Sequence, residues 1–89
     1  MTKAEKIAFK AALVEAQRRW GKTAIVSYDP SAPTKEEKAA YKAEHGAHHP
    51  KYYRWRCSVG RLDPVLRMFN EVAGWADTWA EAWAMADRK

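Results

Sequence analysis

Histidine and cysteine are the residues of this sequence whose positions first suggest chemistry. His45, His48 and His49 stand close together, and Glu44 or Cys57 is the nearest residue that could complete a metal site with them. Their spacing matches no structural zinc pattern, and one cysteine supplies a single thiolate. We therefore predict solvated loop histidines, no bound metal and no cofactor.

Cys57 is the one cysteine of the chain, so it cannot form an internal disulfide, and we expect a cytoplasmic protein. As a nucleophile it would need a base or a helix N-terminus to lower its pKa. The residues around it alternate as in a strand, which places it on the same face as Trp55, among apolar groups. A buried structural thiol is the interpretation that we favour.

The sequence contains no recognisable motif for acid–base catalysis or for phosphate binding. Glu36, Glu37 and Glu44 stand in a polar, solvated stretch, and the four glycines are too scattered for a phosphate-binding loop. The sequence has neither a nucleophile elbow nor a dinucleotide fingerprint. In a chain of 89 residues, these observations favour a protein that binds rather than an enzyme.

The stretch from 51 to 62 is the strongest functional feature, because it carries four basic residues and no acidic one. Residues 51–59 alternate as a strand, which sends an aromatic ring and two guanidinium groups to one face. Such a face suits an acidic protein surface, or else phosphates and unstacked bases. A solvated face without a partner is the third interpretation. The predicted partner-binding residues are Tyr52, Arg54, Arg56 and Arg61.

A helix at each end is expected to support this strand. Thr2 and Glu5 have capping-box spacing, and the helix that they start should run to about Trp20. Thr78 and Glu81 repeat that spacing before the last helix. The apolar stripes that should face the core are Phe9, Leu13, Ala16 and Trp20 in the first helix, and Trp79, Ala82, Trp83 and Ala86 in the last.

The first helix carries a second apolar stripe, formed by Ile7, Ala11 and Val14. A lone surface helix needs one such stripe, so the second requires a partner of its own. We favour packing inside the domain, where the stripe would cover a sheet edge. The alternative is self-association through Ile7 and Val14, so the protein is expected to be a monomer or a homodimer.

The middle of the chain combines short strands with a polar connection. Residues 22–28 are β-branched and predict a strand. The connection at about 29–50 is expected to be mobile and to contain a short exposed helix over 34–44. A turn is predicted at 60–64. Residues 65–75 fit either a helix or a strand.

For residues 65–75 we favour a strand, because it would complete a hairpin with the strand before it. Residues 1–89 are then one α+β domain. It has an N-terminal helix, a small antiparallel sheet of about three strands, and a C-terminal helix packed on one sheet face. No apolar run approaches the length of a membrane span, so we expect no membrane contact.

Positive charge also gathers in the first 28 residues, which hold six basic and two acidic side chains. This distribution supports an alternative function, a nucleic-acid-binding module that combines the basic strand with the first helix. The helix residues that would contribute are Lys3, Lys6, Lys10, Arg18 and Arg19.

Residues 51–89 carry a resemblance to a known group of proteins. A strand leads into the sequence Gly74-Trp75-Ala76-Asp77-Thr78-Trp79-Ala80-Glu81-Ala82-Trp83, in which a Thr–x–x–Glu cap starts an Ala- and Trp-rich helix. In this respect the chain resembles the small accessory proteins of tailed bacteriophages. The resemblance implies a phage protein that acts in the host cytoplasm. Such a protein binds a host or defence protein, for example a CRISPR complex, and inhibits or redirects it.

Overall fold

The computed structural model describes residues 1–62, 65 and 69–88, and its first element, α1, spans Lys3–Trp20. Both halves of the predicted capping box are present. The Glu5 backbone N–H donates to the Thr2 hydroxyl over 3.1 Å, and the Thr2 backbone N–H donates to the Glu5 carboxylate over 3.0 Å. Gly21 ends the helix with a φ of 62°, which favours glycine.

Three antiparallel strands form one sheet in the order β1-β2-β3. They are β1 at Ala24–Tyr28, β2 at Cys57–Leu62 and β3 at Phe69–Ala76. The favoured strand and hairpin in the region 65–75 are therefore confirmed from Phe69 onwards. Residues 66–68 lie outside the described part.

The predicted strand over 51–59 is wrong for its first six residues, because β2 begins only at Cys57. Residues 51–53 form a turn, in which the Tyr52 N–H donates to the His49 carbonyl over 2.9 Å. These local bonds use backbone groups that a strand would offer to a neighbour. At its other end β2 continues through Leu62, so the predicted turn at 60–64 is wrong for its first three residues. Residues 63 and 64 lie outside the described part.

Two further helices agree with the capping signals. The short helix predicted over 34–44 is α2, Lys35–His45, and Thr34 caps it by accepting from the Glu37 N–H over 3.1 Å. The last helix is α3, Trp79–Asp87, which Thr78 caps in the same way. The predicted mobility of the connection that contains α2 stays a prediction.

Both terminal helices lie on the same face of the sheet, with α1 over β1 and α3 over β3. The rings of Trp20 and Trp83 stack at 5.9 Å between the two helices. Gly74 lets α3 lie directly on β3, because a Cβ atom there would be 2.0 Å from the Ala82 carbonyl oxygen. The predicted α+β class, with the C-terminal helix packed on one sheet face, is confirmed. The buried residues of this core are Ala12, Ala16, Val26, Cys57, Val59, Ala76 and Ala82.

The second stripe of α1 points away from this core. Ile7 is 61% exposed and Val14 is 59% exposed, so the favoured interpretation of packing inside the domain is wrong. The reason is that Ala12 and Ala16, on the other side of the helix, already seat it closely on the sheet. Self-association through Ile7 and Val14 stays a prediction.

Candidate binding surface

The sheet face opposite the two helices carries a row of polar and aromatic side chains. Val26, Cys57 and Ala76 point into the core, so the residues next to them in each strand point outwards. The strand register places Ser27 beside Ser58, and Ser58 beside Trp75. This row crosses all three strands.

The outer row forms the floor of an open groove of about 320 Å³. Tyr53 and Trp55, from the segment before β2, complete its lining, and Tyr53 is 88% exposed. Two serine hydroxyls among large apolar groups give a concave, mostly apolar surface with a few polar groups, as binding sites commonly have. We call this feature the outer groove, and its lining residues are Ser27, Tyr53, Trp55, Ser58, Val72 and Trp75.

Lys38 of α2 holds the Trp55 wall of the outer groove in place. The residue is 7% exposed, and its ammonium lies 3.6 Å from the centroid of the Trp55 ring. The ammonium also donates to the Arg54 carbonyl over 2.7 Å. Burial lowers the pKa of Lys38 because the charged form loses water. The lysine is thus a buried link between α2 and the segment from 51 to 56.

The arginines predicted to face a partner pair with acidic residues of the same chain. Arg54 lies 3.5 Å from Asp29, and Arg56 lies 3.6 Å from Glu37. Arg56 also donates from Nε to the Ala32 carbonyl over 2.9 Å. The Arg54 side chain stays 59% exposed, whereas that of Arg56 is 32% exposed. Arg54 is therefore the more available of the two for a partner.

Tyr52 and Arg61 are the other two predicted partner-binding residues, and they lie in different regions of the structure. The Tyr52 ring stacks on His48 at 4.0 Å and lies 5.7 Å from the Lys38 ammonium, close to the Arg54 backbone. Arg61 pairs with Ala24 in the sheet, five residues along from Arg56. At strand spacing this is roughly 16 Å away. Tyr52, Arg54 and Arg56 thus belong to one region, and Arg61 belongs to another.

The three histidines pack against tyrosines in the structure. His45 and His49 lie 4.2 and 4.8 Å from the ring of Tyr41, and His48 stacks on Tyr52. Among the residues that the structure describes, no group of three His, Cys, Asp or Glu side chains is placed to hold a metal ion. Of the three, His48 is connected to the lining of the outer groove, because Tyr52 also contacts Tyr53.

A second hollow, of about 290 Å³, lies between the starts of α1 and α3. Tyr28 donates to Glu5 there over 2.5 Å, and this bond is the main cause that lowers the pKa of Glu5 to about 2. Cys57 at its base is 2% exposed, and burial raises the pKa of its thiol to about 11. The predicted buried structural cysteine is confirmed. Glu5 and Tyr28 bond to each other in this hollow, whereas the buried Oδ1 of Asp77 has no hydrogen-bond partner within the described part of the chain.

Sequence reasoning missed the outer groove, although it named several neighbours of the groove. Trp55 was expected on the apolar face of a strand together with Cys57, and the same alternation places Tyr53 on that face. The turn at 51–53 frees Tyr53 from that pattern and leaves it exposed. The preceding Pro50, which favours a turn, was the signal that could have indicated this.

Comparisons with known proteins give no relative from which a function could be transferred. No family model, curated protein or solved structure matches the chain. Within the described residues, none of the helices combines the length and the apolar character that crossing a membrane requires. The function must therefore be argued from the surface itself.

Proposed function

We propose that this protein is a non-catalytic binding protein that recognises another protein through the outer groove and the segment from 51 to 56. The observation that carries the proposal is the groove of about 320 Å³ lined by Tyr53, Trp55 and Trp75. Tyrosine and tryptophan are the residues that most often dominate the energy of protein interfaces, together with arginine. Arg54, beside Trp55, adds an exposed guanidinium to this surface.

A protein partner is supported over nucleic acid by the pairing of the arginines. Nucleic-acid affinity comes largely from cations that neutralise phosphates. Arg18 and Arg19 of the alternative set already bind Glu15, and Arg19 also binds Asp87 over 2.6 Å. Beside the groove, Asp29 pairs with Arg54 and Glu37 pairs with Arg56. These carboxylates would repel phosphates, whereas a protein can be recognised by its apolar side chains.

A binding function, as opposed to catalysis, is supported by the state of the one thiol. With a pKa of about 11, the Cys57 thiol is protonated at neutral pH and cannot serve as a ready nucleophile. The likeness to phage accessory proteins adds the class of target. We propose that the partner is a host or defence protein, which this chain inhibits or redirects by occupying it.

Affinity capture from a bacterial lysate tests the proposed surface. Ser27→Trp fills the groove from its floor, at an exposed strand position where a large aromatic is well tolerated. Gln17→Trp adds the same side chain on the exposed side of α1 and serves as the matched control. We expect Ser27→Trp to reduce capture of the partner at least about tenfold, and Gln17→Trp to leave it unchanged.

The double change Arg54→Ala/Arg56→Ala tests the neighbouring segment in the same assay. A partner that all three variants capture as well as the wild type would place binding elsewhere on the molecule. Binding of a single-stranded oligonucleotide at low salt that weakens steeply as salt rises would instead support the nucleic-acid alternative. Thermal unfolding of each variant shows whether it retains the fold.

A further inference from the structure

We infer that the free edge of β1 accepts an extended, acidic segment of the partner protein as a fourth strand of the sheet. This inference rests on the proposed function, which makes the partner a protein, and it adds the way in which the partner's backbone is recognised. It is carried by the hydrogen-bonding pattern of β1, by the composition of that strand and by the lysines of α1 that lie on the same side.

β1 is an edge strand, and alternate residues of it direct their backbone groups away from β2. The Asp29 N–H donates to the Arg56 carbonyl over 2.9 Å, which makes these two residues a hydrogen-bonded pair of the antiparallel ladder. In the same register Ser27 also bonds to β2, whereas the N–H and C=O groups of Val26 and Tyr28 point outwards. Within the described part of the chain, no hydrogen bond is made to these outward groups. They offer an extended segment the donors and acceptors of a further strand.

β1 has none of the features by which proteins commonly protect a sheet edge. Its residues, Ala24–Tyr28, include neither a charged side chain nor a proline. Its register with β2 runs without a shift, whereas the register between β2 and β3 shifts twice. Among the described elements, β1 packs mainly on β2 beside it and on α1 above it. The side of β1 away from β2 is therefore the one on which a further strand fits.

A strand added to β1 also reaches the outer groove. Ser27 lies on the floor of the groove, where it stands beside Ser58 in the sheet. Every second side chain of an added segment lies on this same face, and one of them lies next to Ser27. One extended segment thus contacts both the edge of the sheet and the rim of the groove.

Lys6 and Lys10 of α1 lie on the side of the free edge. Arg19 contacts Asp87 and Trp83 of α3, so its side of α1 faces α3. At about 100° per residue, Lys10 lies opposite Arg19, and Lys6 lies about 140° from it. Because α1 lies over β1 and α3 over β3, the side of α1 away from α3 is the side of the free edge. Both lysines are exposed, and within the described residues neither forms an ion pair.

These two lysines favour an acidic segment of another protein over a second copy of this chain. The two acids of α1 are already engaged, Glu5 with Tyr28 and Glu15 with two arginines. Pairing of β1 with β1 of a second copy brings the lysines of both copies together, which is unfavourable. A partner residue paired with Val26 points to the helix side of the sheet, because directly paired residues share a face. A carboxylate in that position faces the lysines.

Titration of the wild-type protein with defined peptides tests this inference. The probe is an eight-residue peptide of alternating valine and glutamate with blocked ends. One comparison peptide has the same side chains but carries methyl groups on all its backbone nitrogens, and another has lysine in place of glutamate. The readout is the exchange rate of individual amide hydrogens of β1, measured by NMR. The N–H groups of Ile25 and Ser27, which bond to β2, are internal controls.

We expect the glutamate peptide at saturation to slow the exchange of the Val26 and Tyr28 N–H groups at least about tenfold, with little change at Ile25 and Ser27. Equal protection by the methylated peptide would overturn strand addition, and equal protection by the lysine peptide would overturn the charge argument. If no peptide protects these groups at millimolar concentration, the inference is wrong. Slow exchange of both groups in a free protein that sediments as a dimer would assign the edge to a second copy.

The double change Lys6→Gln/Lys10→Gln tests the contribution of the two lysines. It should weaken binding of the glutamate peptide roughly fivefold, as expected for the loss of two exposed ion pairs. Lys42→Gln/Lys51→Gln removes the same charge at exposed positions outside α1 and is the matched control. Equal weakening by both double variants would show that net charge alone, and not the position of the lysines, attracts the peptide.

Lysate capture separates this inference from the proposed function. If capture depends on Ser27→Trp but no peptide protects the edge of β1, then the strand addition is wrong and the proposed function stands. If a peptide protects the edge but neither Ser27→Trp nor Arg54→Ala/Arg56→Ala alters capture, then the outer groove is wrong as the binding surface and the edge stands. If both experiments fail, then both are wrong.

Discussion

The ammonium of Lys38 lies 3.6 Å from the centroid of the Trp55 ring, and Lys38 is buried. This contact fastens α2 to the segment from 51 to 56, and it fixes one wall of the outer groove. The Lys35 N–H bond to Asp77 and the pair of Glu37 with Arg56 also connect α2 to the domain.

Lys38→Met tests this link, because it keeps the length of the side chain and removes the donor. We expect the free energy of unfolding to fall by about 1–3 kcal/mol, since the Arg54 carbonyl would lose its partner. Urea unfolding measures the loss. Lys42→Met, at an exposed position of the same helix, is the control and should change little. Equal stability of the two variants would contradict the link.

Gly74→Ala tests the close approach of α3 to β3. A methyl group at 74 would meet the backbone of Ala82 at 2.0 Å, so one element must shift. We expect a loss of about 3 kcal/mol, at the upper end of overpacking effects. The control is Gly46→Ala, where φ is 70° and nothing lies near the added atom; it should cost only about 1–2 kcal/mol. A Gly74→Ala protein as stable as the wild type would show that the two elements are farther apart.

Glu5 gives a prediction for acid pH. Its pKa falls from 4.5 to about 2 in the fold, chiefly because Tyr28 donates to it. A lowered carboxyl pKa means that the folded state binds fewer protons, so this stabilisation is present above about 4.5 and is lost as the pH falls towards 2.

Tyr28→Phe should raise the pKa of Glu5 towards 4.5 and reduce the loss of stability over that interval. The ring remains beside Trp79, so packing is largely retained. NMR titration of the Glu5 carboxyl carbon measures the pKa directly. A wild-type value near 4.5 would exclude the bond to Tyr28 as a determinant.

Because the stripe formed by Ile7, Ala11 and Val14 is exposed, we expect polar substitutions in it to be tolerated. Ile7→Gln and Val14→Gln should each alter the free energy of unfolding by no more than about 0.5 kcal/mol. Leu13→Gln, which replaces a residue packed against the core, is the matched contrast and should cost much more. Sedimentation over a dilution series then tests self-association, since any dimer formed by the stripe should dissociate in the double variant.

The helices were predictable because their signals are local. A threonine followed three residues later by glutamate marks the start of α1, α2 and α3 alike. Such a cap depends on one turn of backbone and needs no information from the rest of the fold. The class of the domain followed once these helices were placed around short β-branched stretches.

The segment before β2 could not be predicted in the same way, because a strand needs a neighbour. Residues 51–56 have the alternation of a strand, but β1 ends at Tyr28, and Pro30 cannot donate to a sheet. The Asp29 N–H bond to the Arg56 carbonyl is the last rung. This bond joins residues that are 27 positions apart in the sequence. The alternation within residues 51–56 therefore cannot indicate where strand pairing ends.

The outer groove and Lys38 depend on the same long-range information. Ser27 and Trp75 share one face only because of the register through β2. Lys38 shows no apolar pattern that would mark it as buried. Its environment arises when α2 meets Trp55, 17 positions further along the chain.

The burial of Cys57 makes the wild-type chain a ready background for covalent trapping. At pH 8 a thiol with a pKa of about 11 is ionised to roughly one part in a thousand, and this one is also shielded from reagents. A cysteine introduced at the exposed position of Tyr53 would therefore take up a photoactivatable crosslinker selectively. Irradiation in a cell extract would then tether whatever occupies the groove, and mass spectrometry of the adduct would identify both the partner and the peptide that reached it.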